Sequence, residues 1–435
     1  MFCAGGLAAS MSSGDAMAHA AASIVVLDGP AMQRARVSSP PRSVLWTTSL
    51  SHGLIHVYEL AVPALLILIQ EDFAVGDLAM GRAITLFGLM FGLGALPAGY
   101  LVDRLGSRLL LAGCLWSAAA CMACMALSPS FGAFAASAAC LGLSSSIYHP
   151  AGTALITHSL PVSGRVFATH GMLGNLGVAG SSAIAGTLGA LFGWRWAVAS
   201  LSILGFGLGL RVWSLEIPAQ REVRQRPGQG HWPAFAALLV AMGFMGMVYR
   251  GVTTFLPKLL ATSYASGPSA GAALGGLLTT FALLCGLLGM YVAGRAVDRG
   301  LRPARVFLIG AAVQTPLLLA VASVGAGGLL PLVMAVAFFH FFTQPPANHM
   351  VADFVAPRHR GLGYGLYFFV AFGAGSFGAT YGGWVSDRAG LARAFSALAV
   401  LLAPALLAAL ALSFTRLGQQ RFGERDNGAG SAAEP

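Results

Sequence analysis

Charged residues are scarce in this chain of 435 residues, and their scarcity excludes a soluble globular protein. Asp, Glu, Lys and Arg make up 9% of the sequence, whereas an average soluble domain carries about 25%. So few charged side chains cannot cover the surface of a globule of this size. Hydrophobic residues make up 57%, and apolar stretches of roughly 20 residues, long enough for a helix to cross a bilayer, recur along the chain. We therefore predict a multi-pass membrane protein.

The sequence also lacks a disulfide framework, a secretory signal and a nucleotide-binding domain. Five of the six cysteines fall inside predicted membrane helices, where disulfides are not expected. The Cys121-x-x-Cys124 pair sits in a run of Ala and Met, which indicates packing rather than redox chemistry. Residues 1–43 have no basic segment followed by a long apolar core, so we predict a mobile tail. We expect no cofactor, and ATP is not the expected energy source.

The formal net charge of +10 does not indicate nucleic-acid binding. The arginines fall between apolar stretches and form no stripe interleaved with aromatic residues. We therefore expect no nucleic-acid partner.

Apolar stretches bounded by Gly, Pro and charge predict an all-α protein with twelve transmembrane helices in two pseudo-symmetric six-helix bundles. The predicted helices of the first bundle, residues 44–213, are 44–70, 78–102, 109–127, 132–157, 165–192 and 195–213. A polar linker at 214–232 precedes the second bundle, residues 233–415. Its predicted helices are 233–261, 270–297, 304–324, 329–352, 361–385 and 391–415. Residues 416–435 form a predicted C-terminal tail.

The distribution of basic residues predicts the orientation. Loops on one side hold most of the arginines, whereas the other side holds only Arg82, Arg195, Lys258, Arg388 and Arg393. Because positive residues concentrate on the cytoplasmic side, we predict that both termini and the 214–232 linker are cytoplasmic. A bacterial inner membrane is the expected location.

The two halves repeat each other at an offset of about 195 residues, as many transporter folds do. His149-Pro150 in the fourth helix matches Gln344-Pro345 in the tenth. Pro63 in the first helix matches Pro257 in the seventh. The segment after the second helix matches the one after the eighth; its residues are Gly99, Asp103, Arg104, Gly106 and Arg108 in the first half and Asp298 and Arg299 in the second.

The segment around Asp103 resembles the signature loop of the major facilitator superfamily, and the resemblance covers roughly residues 44–415. Tyr148-His149-Pro150-Ala151-Gly152 and Gly174-Asn175-Leu176-Gly177 look like the branch that contains the fosmidomycin-resistance exporters. The resemblance implies a transporter that alternates access to a central cavity. Asp103 is expected to accept hydrogen bonds from a helix N-terminus in one conformation only, as a gating latch; a topogenic charge cluster without that role is the alternative.

Polar residues inside the predicted helices are candidates for the transport site, because an ionisable side chain at mid-bilayer costs about 2.5–3.5 kcal/mol on insertion scales. His52, His56 and Glu59 share one helix face by their spacing. By the 194-residue offset, Arg250 is the counterpart of His56, which predicts that the two face each other across the cavity. The full set of substrate- or proton-binding candidates is His52, His56, Glu59, Tyr148, His149, His170, Asn175, Tyr249, Arg250, Gln344, Tyr364 and Tyr367. His340, beside four phenylalanines, is expected to make an interhelical hydrogen bond instead.

These features favour a secondary transporter of a small anionic or zwitterionic molecule, with Arg250 as the anion site and Glu59 and a histidine as proton carriers. The family resemblance favours proton-coupled efflux. Proton-coupled uptake of organic anions is the alternative, because it would use the same residues. A membrane-embedded metalloenzyme is a remote alternative, because His52-x-x-x-His56-x-x-Glu59 has metal-ligand spacing but Gly53 stands where a zinc hydrolase would carry its general base. A transporter-shaped sensor is a further alternative. The expected partners are the small-molecule substrate, protons and membrane lipid, and we expect a monomer.

Overall fold

The computed structural model describes residues 41–160, 164–217, 230–356 and 359–414. In these ranges, eleven helices are long and apolar enough to cross a membrane, and a bent helix pair brings the number of spans to twelve. The predicted all-α membrane architecture is confirmed. The structure does not describe most of the predicted tails, residues 1–43 and 416–435, or the middle of the predicted linker, residues 214–232.

The first half of the chain forms eight helical segments, which make up six spans. The first span is bent by 54° at Leu65, between its two segments. The fourth span is interrupted just before His149-Pro150, although a continuous helix was predicted there. The segments are α1 (Pro41–Ala64), α2 (Leu66–Phe73), α3 (Asp77–Leu105), α4 (Ser107–Ala126), α5 (Phe131–Ser145), α6 (Tyr148–Ser159), α7 (Gly164–Phe192) and α8 (Trp194–Trp213).

The second half repeats this arrangement. Its fourth span is interrupted at Thr343, one residue before Gln344-Pro345, and so matches the interruption in the first half. The segments are α9 (Trp232–Tyr264), α10 (Pro268–Asp298), α11 (Pro303–Ala320), α12 (Ala326–Phe342), α13 (Gln344–Phe354), α14 (Arg360–Phe368), α15 (Phe377–Ala389), α16 (Leu391–Leu398) and α17 (Leu402–Phe414). A π-helical turn at Phe369–Gly373 and a 3₁₀ turn at Ala374–Ser376 connect α14 to α15.

Single glycines form several of the connections between spans. Gly106, Gly193, Gly267 and Gly390 have φ values of 83–94°, a conformation that only glycine adopts without strain. Each stands between the end of one helix and the start of the next. The predicted loop around Asp103 is therefore shorter than expected: Asp103 and Arg104 still belong to α3, and Gly106 alone makes the turn.

Two surfaces join the halves through close backbone contacts. In one, α3 lies against α15, and a methyl group at Gly81 would stand 2.3 Å from the carbonyl oxygen of Ala379. In the other, α7 lies against α10, where the Ala183 amide donates to Thr280 at 3.1 Å. Small residues permit this close approach of helices in a membrane.

We name the two ends of the molecule by the chain. The linker end carries the start of α1 and the ends of α8 and α17, and the far end carries the connection from α2 to α3. Thr85 and Ser376 exchange hydrogen bonds across the α3–α15 surface in the far half, at 2.8 and 3.1 Å. The halves are thus joined tightly from the middle of the membrane to the far end.

Candidate functional site

Glu59 lies at the centre of the polar site. Its Oε1 accepts a hydrogen bond from Arg250 Nη2 at 2.7 Å, and its Oε2 lies 2.9 Å from His56 Nδ1. The structure therefore joins the two halves by a buried ion pair. His56 from the first half and Arg250 from the second approach this carboxylate from opposite sides.

Arg250 is almost fully buried, with 1% of its surface exposed. Within the described part of the chain, only Nη2 has a hydrogen-bond partner, whereas Nε and Nη1 are buried without one. The guanidinium also lies 5.7 Å from the centre of the Phe87 ring and 5.8 Å from that of Tyr249. An unsatisfied buried donor costs free energy, so Arg250 retains capacity for another acceptor.

Four histidines cluster beside this ion pair. His56 Nε2 lies 3.2 Å from His52 Nε2, and His52 Nδ1 lies 3.1 Å from the carbonyl oxygen of His170. The rings of His52 and His170 stack with their centres 4.4 Å apart. His149 presents its ring edge to His52 at 5.2 Å. The predicted shared face of His52, His56 and Glu59 is therefore present, and two further helices contribute to it.

A cavity of about 80 Å³ lies between the halves on the linker side of Glu59. Both halves contribute apolar residues, including Val178 from the first and Phe372 from the second. Six of the predicted site residues line it: His56, His149, Asn175, Tyr249, Gln344 and Tyr367. The amide nitrogen of Asn175 is buried without a partner. This volume suits a few waters better than a small-molecule ligand, so the cavity is contracted in this conformation.

The other six candidates lie outside the cavity lining. Glu59, Arg250, His52 and His170 form the layer behind His56. Tyr148 donates to the backbone oxygen of Thr48 at 2.5 Å and so ties α6 to α1. Tyr364, 9% exposed, is also absent from the lining. Arg250 does not line the cavity in this conformation, and its contact with substrate stays a prediction.

Sequence reasoning missed some cavity residues. His340 makes the expected interhelical hydrogen bond, because its Nδ1 lies 3.1 Å from Gln314 Nε2. It also stacks on Tyr249 and lines the cavity, together with Asn348. The only signal for Asn348 was its position four residues after Gln344 in the same helix.

A network of charges closes the far end, and the sequence did not indicate it. Asp387 accepts from the amides of Asp77 and Leu78, the first residues of α3, at 2.9 and 3.0 Å. Lys258 donates to Asp77 at 2.6 Å and to Gln70 at 2.8 Å. Because these residues come from both halves, the network fastens one half to the other, and Asp387 also stabilises the positive N-terminus of α3.

The signature segment at the linker end is not engaged in the same way. Asp103 is close enough to His158 to interact with it electrostatically, and Arg104 lies over the ring of Tyr100. Arg108 donates to the backbone oxygen of Leu215 at 3.0 Å. A latch role of Asp103, and of Asp298 and Arg299 in the second half, therefore remains a proposal about another conformation.

Comparisons with known proteins agree with this architecture. A family model described as the Major Facilitator Superfamily matches residues 54–379. The "Probable L-galactonate transporter" of Escherichia coli (strain K12) is 23% identical over 255 residues, 53% of this chain and 55% of that protein. The chain thus spans about half the length of this curated relative.

Solved structures show the same fold. A bacterial homolog of the human lysosomal transporter Spinster, in an inward-facing and occupied conformation, has a TM-score of 0.71 at 18% identity, covering 88% of this chain and 98% of that chain. The nucleoside transporter NupG, solved as a mutant, has a TM-score of 0.68 at 14% identity, covering 86% of this chain and 100% of that chain.

Proposed function

Because this chain belongs to the Major Facilitator Superfamily and is a membrane transporter rather than an enzyme, we propose that it moves a small organic anion or zwitterion by proton-coupled alternating access. The observation that carries the proposal is the Glu59 carboxylate shared between Arg250 and His56. The relative whose name specifies galactonate, a sugar-acid anion, supports the choice of substrate class.

The shared carboxylate suggests how a proton and an anion are coupled. His56 borders the cavity and contacts Glu59, so a proton entering the cavity reaches Glu59 through His56. A protonated Glu59 no longer neutralises Arg250. The freed guanidinium then attracts an anion into the contracted cavity, which widens to admit it. A buried charge without a counter-charge is costly, so only neutral clusters are occluded.

This charge balance favours symport. Two states of the cluster are neutral: the empty state with ionised Glu59, and the state loaded with both proton and anion. A protein that crosses only in these two states carries the proton and the anion in the same direction. Proton-coupled efflux is the second candidate, and the resemblance of Tyr148–Gly152 and Gly174–Gly177 to the fosmidomycin-resistance exporters supports it.

Replacing Glu59 with glutamine tests the coupling. In proteoliposomes, Glu59→Gln should abolish accumulation driven by a pH gradient but retain exchange of anion for anion, because glutamine resembles the protonated carboxyl. The probes are a panel of sugar acids, including L-galactonate, and of phosphonates, preselected by thermal shift. The direction of the pH gradient that drives accumulation separates symport from efflux.

The matched control is Glu71→Gln, which makes the same chemical change at an exposed residue of α2. It should transport like the wild type. If Glu59→Gln retained full accumulation under a pH gradient, the proton path would lie elsewhere, with His149 and His170 as the next candidates.

We also propose that the protein is a monomer in a bacterial inner membrane with both termini in the cytoplasm. The arginine distribution supports this orientation, in which the closed far end is extracytoplasmic. Reporter fusions after Gly228 and Gly428, both outside the described residues, should show cytoplasmic activity. An external signal from either fusion would overturn the orientation.

A further inference from the structure

Two imidazole nitrogens of the first half face each other in an arrangement that can hold a cation. The Nδ1 atom of His52 lies 3.1 Å from a carbonyl oxygen, which can only accept, so this nitrogen carries a hydrogen. The Nδ1 atom of His56 lies 2.9 Å from the carboxylate of Glu59 and is a donor whenever Glu59 is ionised. In two neutral rings both Nε2 atoms are then bare, yet they lie 3.2 Å apart. Their lone pairs repel unless a positive ion lies between or beside them.

We propose that His52, His56 and His149 bind a transition-metal ion of the Zn²⁺ type. Two imidazole nitrogens bound to one tetrahedral Zn²⁺ at 2.0–2.1 Å stand roughly 3.3–3.4 Å apart, close to the observed separation of 3.2 Å. The nearest ligand atoms of all three histidines lie within 4.8 Å of one another. His149 therefore has to approach by up to about 1.5 Å to complete a three-histidine set.

The groups around the rings are those that support metal-binding histidines. Such a histidine usually donates its other N–H to a carboxylate or a backbone carbonyl, which fixes the ring and makes the ligating nitrogen more basic. Glu59 holds His56 in this way, and the carbonyl of His170 holds His52. The backbone of Gly174 lies against the His52 ring, since a methyl group there would stand 2.3 Å from Cε1 of His52.

The ligand types determine the class of ion. Imidazole nitrogens suit Zn²⁺, Co²⁺ and Ni²⁺, whereas Mg²⁺ and Ca²⁺ prefer oxygen ligands. His56 and His149 both line the cavity, so an ion can enter from there and its remaining coordination position faces the cavity. The site differs from the metalloenzyme considered from the sequence, because Glu59 acts behind the ligands and no general base is needed.

Metal titration of the purified full-length protein tests this site directly and does not depend on transport. The protein carries a tag without histidines, is stripped with a chelator, and is titrated with ZnCl₂ by calorimetry and with CoCl₂ by visible absorption. The wild type should bind one metal ion per chain, with the absorption of tetrahedral Co²⁺. His52→Ala and His149→Ala should each weaken binding by at least 10-fold, whereas the control His340→Ala, a cavity histidine of the second half, should not.

Gly174→Ala supplies a variant that keeps every ligand. Its methyl group displaces the His52 ring, so it should also weaken metal binding, while thermal unfolding shows whether the protein remains folded. Binding that is unchanged in His52→Ala and His149→Ala would overturn the proposal, as would a folded wild type that binds no Co²⁺ or Zn²⁺. In the latter case a proton shared by His52 and His56 is the cation. A metal ion and a proton cannot occupy His56 Nε2 together, so Glu59→Gln transport is measured on chelator-treated, metal-free protein, and its result stands whether or not the protein binds metal.

Discussion

Arg250→Gln is expected to abolish transport and to destabilise the protein by about 3–5 kcal/mol, the usual cost of removing one partner of a buried ion pair. Glu59 and Arg250 have side-chain exposures of only 3% and 2%, so water cannot replace the lost partner. Thermal unfolding followed by tryptophan fluorescence measures the loss of stability. Anion exchange in proteoliposomes measures transport.

The double variant Glu59→Gln/Arg250→Gln separates stability from function. Removing both charges leaves no buried unpaired ion, so the double variant should unfold at a higher temperature than Arg250→Gln alone. It should still fail to exchange anions, because the guanidinium is missing. Arg393→Gln, the same change at an exposed arginine, should alter neither property. Anion exchange by a folded Arg250→Gln protein would contradict the anion role of Arg250.

Asp387→Asn is expected to open the far end. The carboxylate of Asp387 accepts from two amides at the start of α3, and an anion at a helix N-terminus contributes about 1–2 kcal/mol in partly buried sites. Losing 1–2 kcal/mol changes an equilibrium between two conformations by about 5- to 30-fold. Spin labels can be placed at Glu71 and Ser266, exposed residues of the two halves near this end. Double electron–electron resonance should show that a larger fraction of Asp387→Asn molecules than of wild-type molecules has a long distance between the two labels.

Two further variants make this test specific. Gly81→Val removes no charge but places a side chain against the Ala379 carbonyl, and it should lengthen the same distance. Asp103→Asn changes a carboxylate at the linker end, away from the far-end contacts of Asp387 and Lys258. If Asp103 latches the opposite conformation, this variant should not open the far end. An unchanged distance in both Asp387→Asn and Gly81→Val would exclude a role for the far-end network in closure.

The sequence predicted the spans and the polar face well, because both follow from periodicity along one helix. The spacing of His52, His56 and Glu59 placed them on one side of α1, and the structure shows them in contact. The depth of Arg250 could not be predicted: it lies behind the cavity lining and pairs with Glu59. A repeat offset indicates which positions are equivalent, but it does not indicate how deeply a side chain lies behind its neighbours.

The far-end network could not be predicted for a different reason. Asp77 and Asp387 belong to different halves and are 310 residues apart in the chain, so no local pattern connects them. Lys258 was predicted only as an outer-side charge within the helix 233–261; the structure shows that it lies in α9 and pairs with Asp77 of the other half. Contacts between two packed bundles depend on how the bundles are placed relative to each other, and the periodicity of single helices does not predict that placement.

The histidine cluster lies in only one of the two repeated halves, which suggests that the halves diverged in task after an ancestral duplication. His56, His149 and His170 can each gain or lose a proton, whereas their counterparts at offsets of 194 or 195 residues are Arg250, Gln344 and Gly365. Arg250 is permanently charged, whereas Gln344 and Gly365 have no ionisable side chain. The first half thus carries the side chains whose charge changes with pH, and the second half carries the arginine whose charge does not change.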